Sequence, residues 1–185
     1  MGASKDIAIE LNPVSDPLAL RAAFGCFPSG VIAVCALDAV GGPVGMAASS
    51  FVSLSLDPPL VAISIQRTST SWPRLRQVER LGLSVLAQDH EDVCAKLSGR
   101  GDRFVAVEWM PTDTAAVLID GASAWLECAL LKEVSAGDHT LAILQIHRLR
   151  TNPAVAPLVF HASRFRQLDA ARDDRGAGSH SRQSD

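Results

Sequence analysis

The run Gly45–Leu60, GMAASSFVSLSLDPPL, places four small side chains, Ala47, Ala48, Ser49 and Ser50, ahead of a Pro-Pro pair. Side chains of this size leave the backbone reachable, so a flat heterocycle rich in acceptors can lie against it and accept from its N–H groups. A strand passing beneath a helix would need the same small residues for close packing alone. A second run, SIQRTSTSWPRLRQ from Ser64 to Gln77, leaves a strand through a Ser/Thr-rich turn and enters a helix, with Ser71 as the expected N-cap and Pro73 in the first turn. Free N–H groups, hydroxyls and the positive end of a helix dipole would converge there, which is what a phosphate requires. Arg67 and Arg74 add charge, and Lys96 follows one helix later. An ordinary capped helix would read the same way. Taken together, the two runs suit a nucleotide with a planar head.

Of the five histidines, His139 in AGDHTL directly follows a Gly137-Asp138 turn; His90, His147, His161 and His180 have no comparable context. Cys26, Cys35, Cys94 and Cys128 form no C-x-x-C, and no histidine stands at ligand spacing from them. No metal site is expected, and the cysteines read as small buried hydrophobes.

These residues must be positioned by a single domain. The 185-residue chain is 48% hydrophobic, enough for a sizeable core, and carries a net charge of only -3. With 17 Lys and Arg against 20 Asp and Glu, charge implies neither nucleic acid nor an anionic membrane surface as partner. A small molecule is the expected partner. No apolar run approaches bilayer-spanning length and the start has no leader-like pattern, so a cytoplasmic location is expected. Residues 1–12 read as a loosely ordered start, 13–168 as the folded domain, and 169–185, DAARDDRGAGSHSRQSD, as a disordered tail with too little apolar content to offset its ordering entropy.

Within the domain, Asp16 and Pro17 start an amphipathic helix with Leu20, Phe24 and Phe27 on one face, ended by Pro28 and Gly30. VIAVCAL and the segment around Val44 read as a hairpin. Further strands are expected in LVAISI, LGLSVL, AWLECALLKEV, HTLAILQIHRL and PLVFHA, with short helices at WPRLRQVE and HEDVCAKL. Many strands and few helices predict a mainly β fold, an antiparallel barrel with helices attached. The strict βαβ alternation and the G-x-G-x-x-G turn of a dinucleotide-binding sheet are missing.

In order and spacing, CFPSGVIAVCA, GGPVGMAASSFVSLSLDPPLVAISI, TSWPRL, WLEC and GDHTLAILQI resemble the short-chain NAD(P)H:flavin oxidoreductases, the flavin reductases of two-component monooxygenases. The resemblance covers about Leu18 to Leu168 and implies an FMN-binding split β-barrel. It further implies that Pro43, Val44, Gly45, Met46, Ala47, Ser49 and Ser50 lie along the isoalloxazine and ribityl groups of FMN or FAD. Ser64, Ile65, Gln66, Thr70, Ser71 and Lys96 match positions holding ribityl and phosphate. His139 matches a histidine near the nicotinamide face. Phe165, near the end of the barrel, would shield the flavin edge or be buried as an ordinary core aromatic. The implied reaction passes a hydride from C4 of NADH or NADPH to flavin N5 and supplies reduced flavin to a monooxygenase, with a homodimer as the working unit. A non-catalytic flavin-binding barrel would share the same residues. A relative of the pyridoxine-phosphate oxidases would want a more basic phosphate site. The chain departs from the family's pattern at Leu144, where Gly is usual, and at Ser84, where Asn is usual.

Overall fold

Strand Ile32–Leu37 shows why the sequence reads as a continuous apolar run there rather than an alternating one. Its even-numbered residues Ile32, Val34 and Ala36 enter one core, while Ala33 and Cys35, with the adjoining Val31, enter a second. A strand covered on both faces has no polar side to show. The computed structural model describes residue 11 and residues 13–168; apart from Leu11, the expected loose start and the tail lie outside the described residues. In chain order the elements are α1 (Pro17–Gly25), β1 (Ser29–Gly30), β2 (Ile32–Leu37), β3 (Pro43–Ala48), β4 (Val52–Leu56), β5 (Pro59–Gln66), α2 (Trp72–Leu75), β6 (Leu81–Val85), α3 (Glu91–Ser98), β7 (Trp109–Pro111), β8 (Val117–Ile119), β9 (Ala124–Ala136), β10 (His139–Thr151), β11 (Val159–His161) and β12 (Arg164–Arg166).

Seven of these strands form one antiparallel sheet in the order β3-β2-β6-β9-β10-β5-β4. Its two edge strands, β3 and β4, are consecutive in the chain and joined only by Ser49, Ser50 and Phe51. Laid flat, six strand spacings would separate them by roughly 29 Å, whereas the four-residue step from Ala48 to Val52 spans at most roughly 14 Å. The sheet therefore has to roll. It does so without closing, since no ladder joins β3 to β4. The seam is clipped by one side chain: Ser50 Oγ donates to Ser64 O at 2.8 Å and accepts from Ser64 N at 2.9 Å. The mainly β architecture expected from the sequence is thus present; where a barrel was expected, the sheet is rolled but not closed, with an open seam.

The β7–β8 hairpin packs on the outside of β6, and that approach explains two residues. A Cβ on Gly82 would lie 2.1 Å from the Val117 carbonyl oxygen, so nothing larger than glycine fits. Beside it, Ser84 Oγ accepts from Ile119 N at 2.9 Å. The departure at Ser84 is thereby absorbed into a buried bond, and Leu144 is a fully buried core residue. Where β9 faces β10, Glu127 is 5% exposed and accepts from Arg148 Nε at 2.9 Å and from Thr114 Oγ1 at 2.7 Å. Burial pushes its carboxyl up, but Arg148 and the threonines outweigh that and hold it below the ordinary glutamate range.

Three expectations need correction. Helix α1 is capped as expected, Asp16 Oδ1 accepting from Leu18 N at 2.9 Å, yet none of its residues is buried; Phe24 and Phe27 are 68% and 78% exposed, because no described element packs over that face. Helix α2 is one turn long and stops short of the expected WPRLRQVE helix. Cys35 and Cys128 are buried, their thiols pushed up to about 12 by burial, but Cys26 is exposed and Cys94 half-buried. No helix among the described residues is long and apolar enough to cross a membrane, and no cluster of His, Cys, Asp and Glu suited to a metal ion occurs among them.

Candidate functional site

Rolling the sheet brings the end of β3, the end of β5 and the start of β10 to one side, where the loop after α3 completes a cleft of about 730 Å³. That is within the usual range for small-molecule sites, about 300–1,000 Å³. One wall is Met46, Ala47, Ala48, Ser49 and Ser50; Ser64, Ile65 and Gln66 lie across from it, with Thr70 and His139. The small residues read from the sequence thus do face a cleft. Their bulk explains its width: Ala48 and Ile65 also reach the inner core, so larger side chains at 47–50 would fill the space above it.

A second cleft of about 420 Å³ adjoins the first and shares Thr70, Arg100 and Arg103 with it. Pro43, Val44, Gly45 and Ser71 line this one. The candidate residues at 43–50 are therefore split between two connected spaces. Gly45 owes its lack of a side chain to packing as much as to ligand access, since a Cβ there would meet Cys35 Sγ at 2.6 Å and Phe104 Cζ at 2.9 Å.

Several roles differ from the sequence reading. Ser71 is buried, and its hydroxyl donates to Gly45 O at 3.0 Å and caps no helix; Ser69 Oγ instead accepts from Trp72 N, at 3.2 Å. With only one turn behind it, α2 supplies little dipole. Lys96 lines neither cleft, its Nζ donating to Ala106 O at 3.1 Å. Phe165 also lines neither, packing edge-on against Phe160 in the second core at 5.5 Å between ring centroids. Arg67 lies on the far side of the β5 turn and Arg74 is paired with Asp38.

Positive charge at the clefts comes mainly from Arg100 and Arg103, which the sequence reading passed over. Arg103 Nη1 donates to Gly45 O at 3.0 Å and to Ser71 Oγ at 2.6 Å, so one edge of the guanidinium is anchored to β3 and the α2 turn. The available signal was local: SGRGDR, residues 98–103, puts two arginines and two glycines directly after a helix. His139, which lines the first cleft, begins β10 after a tight turn in which Gly137 takes φ +62°, as primed hairpin turns require. Its Nδ1 lies 2.7 Å from Asp138 Oδ1, an acceptor when ionised, so that nitrogen carries the proton and Nε2 is the one left for a ligand. The imidazole beside Asp138 holds that carboxyl below the ordinary aspartate range.

The first cleft brings together a wall of small residues, two guanidinium groups and an imidazole. Among the described residues it holds no paired carboxylates or nucleophile–base couple, so it fits a ligand that brings its own chemistry, with a ring over the small residues and an anionic end toward the arginines.

Comparison with known proteins agrees. The family profile described as "Flavin reductase like domain" matches residues 24–169. A flavin reductase of Pseudomonas putida is 36% identical over 147 residues, 79% of this chain and 86% of that protein. The reductase component of a flavin-dependent trigonelline monooxygenase of Acinetobacter baylyi is 34% identical over 158 residues, 84% of this chain, which spans 50% of that protein's length. Among solved structures, the NADH:FAD oxidoreductase of Streptomyces globisporus C-1027, in complex with NAD and FAD fragments, superposes with a TM-score of 0.81 at 34% identity, covering 90% of this chain and 99% of that one.

Proposed function

The chain belongs to the flavin reductase like domain family, and from that premise we propose that it uses NADH or NADPH to reduce free FMN or FAD and passes the reduced flavin to a partner monooxygenase. The observation that carries this reading is the cleft between Met46–Ser50 and Ser64–Gln66, lined also by Arg100, Arg103 and His139. Bound there, a flavin would supply the hydride-accepting centre and the nicotinamide the hydride. The protein's contribution is alignment. The small wall at 47–50 admits the ring, the amides of β3 and β5 offer donors along its edge, and Arg103 fixes the loop that bounds the phosphate end. His139 would present Nε2 to a nicotinamide stacked on the ring. An open cleft suits a loosely held flavin that must leave after reduction. A cytoplasmic setting, where free flavin and nicotinamide are available, fits the proposal.

Purified protein assayed with the four pairings of NADH or NADPH with FMN or FAD is expected to oxidise nicotinamide only when flavin is added. His139→Ala is expected to lower kcat/KM for the nicotinamide about tenfold, roughly 1.4 kcal/mol, with a smaller change in flavin Kd. Flavin binding with no oxidation in any pairing would replace this reading with a passive flavin binder, and equal losses in both constants would make His139 a flavin-holding residue.

We also propose a homodimer as the working unit. Its support is exposed apolar surface: Leu18, Phe24 and Phe27 around α1, and Val52, Leu54 and Leu56 on edge strand β4, which leaves the cleft directly after Ser50. Dilution is expected to weaken flavin binding and activity together; light scattering showing a fully active monomer would overturn it.

A further inference from the structure

The turn that carries Gln66, Thr68, Ser69 and Thr70 along the first cleft has a second space behind it, a polar hollow of about 310 Å³. Gln66 and Ser69 border both, so the turn stands as a partition between two open spaces. Its shape therefore depends on how its ends are held. At the start, Arg67 N donates to Asp138 O at 3.0 Å. At the far end it runs into α2, where Ser69 Oγ accepts from Trp72 N at 3.2 Å and donates to Met46 Sδ at 3.9 Å. A helix of four residues does not hold itself, because fixing the first turn costs more than its hydrogen bonds return. Tertiary contacts have to fix α2.

One carboxylate joins α2 to the main sheet. Glu133 lies in the half of β9 beyond Cys128, where the ladder with β6 has ended and β10 is the one strand neighbour among the described residues. Its Oε1 accepts from Trp72 Nε1 at 2.8 Å, and its Oε2 pairs with Arg76 Nη2 at 2.6 Å. Different oxygens serve the two partners, so both contacts stand at once. They are not equal in weight. The Arg76 side chain is 51% exposed, and an ion pair so open to water contributes little. Trp72 is 5% exposed with its ring in the inner core, so the bond from its indole to a carboxylate ties a buried anchor of α2 to β9.

We propose that Glu133 is a positioning residue for flavin binding: acting through Trp72, it sets α2 and with it the Gln66–Thr70 wall of the first cleft. The proposal rests on the flavin reading of that cleft. Glu133 lines neither cleft, so any effect of its replacement on flavin affinity has to pass through α2.

The test compares Glu133→Ala, Glu133→Gln and Arg76→Ala with the native full chain, by FMN and FAD binding and by hydrogen exchange without flavin. Glu133→Ala is expected to raise the flavin Kd about fivefold, within what the loss of one hydrogen bond supplies. Exchange is expected to quicken at the amides of Ser69 and Trp72, which bond within the turn, while those of β2 and β6 keep native protection. Glu133→Gln keeps an acceptor for the indole, and Arg76→Ala removes only the exposed pair; each is expected to bind flavin within about twofold of the native chain. Native affinity in Glu133→Ala would overturn the proposal, as would exchange that quickens throughout the sheet, which marks general destabilisation. A Glu133→Gln chain as weak as Glu133→Ala would overturn the indole bond as the link, and an equal loss in Arg76→Ala would overturn the route through Trp72. Failure of both flavins to bind the native chain would overturn the flavin reading and this proposal together, whereas native binding unmoved by Glu133→Ala overturns the proposal alone.

Discussion

Leucine in place of Ser49 is expected to raise the flavin Kd about tenfold or more while leaving thermal stability nearly unchanged. Ser49 is exposed, lines the first cleft and makes no side-chain hydrogen bond among the described residues, so the fold does not depend on its hydroxyl. A leucine there puts a branched side chain into the space the ring needs, and losing about 1.4 kcal/mol of contacts is already a factor of ten. The neighbouring position is a poorer probe. Ser50 clips the seam of the rolled sheet through two bonds to Ser64, so its replacement would change stability and binding together. Titration of Ser49→Leu with FMN and FAD, beside a thermal melt, separates the two effects. Native affinity in a variant with native stability would place the ring away from β3.

The second large effect is expected at Gly82→Ala, which concerns the fold alone. The added methyl would stand 2.1 Å from the Val117 carbonyl oxygen, 2.7 Å from its carbon and 3.0 Å from Leu118 Cδ2. Two of these are backbone atoms that no rotamer change can move. Either β6 or the β7–β8 hairpin must shift, and the Ser84–Ile119 bond lies next to the contact. Overpacking of this kind costs about 3 kcal/mol, or a melting temperature lower by about 10 °C for a domain of this size. Gly30→Ala is the control, since a Cβ at Gly30 meets nothing within 4 Å. A melt of Gly82→Ala within about 2 °C of the native chain, the scatter expected of neutral substitutions, would show that the hairpin does not press on β6 as described.

Much of this architecture was legible because it is local. Asp16 and Pro17 announced the start of α1, the Gly137-Asp138 pair announced the turn before His139, and the apolar run at 31–37 announced a strand. Each depends on backbone preference or on burial of neighbours in sequence, which residue type reports directly. The small wall at 47–50 was legible for the same reason, as side-chain volume needs no partner to be read.

What the sequence by itself determined, then, was six of the seven strands of the main sheet, the turn before His139 and the small-residue wall; edge strand β4, the β7–β8 hairpin and the charged lining of the cleft were decided by tertiary structure. Ser71 reads locally as a helix cap, but the approach of β3 turns its hydroxyl to Gly45 O, 26 residues away. Arg103 reaches the site only because the loop after α3 folds back on β3, 58 residues earlier. The same roll that draws these segments together leaves Lys96 and Phe165 outside, and no part of the described chain covers Phe24 and Phe27. The physical reason is the connection between β3 and β4: three residues must join opposite edges of a seven-stranded sheet, so the sheet curls. Which distant side chains meet at the seam follows from that curvature, a property of the whole sheet that no single stretch of sequence carries.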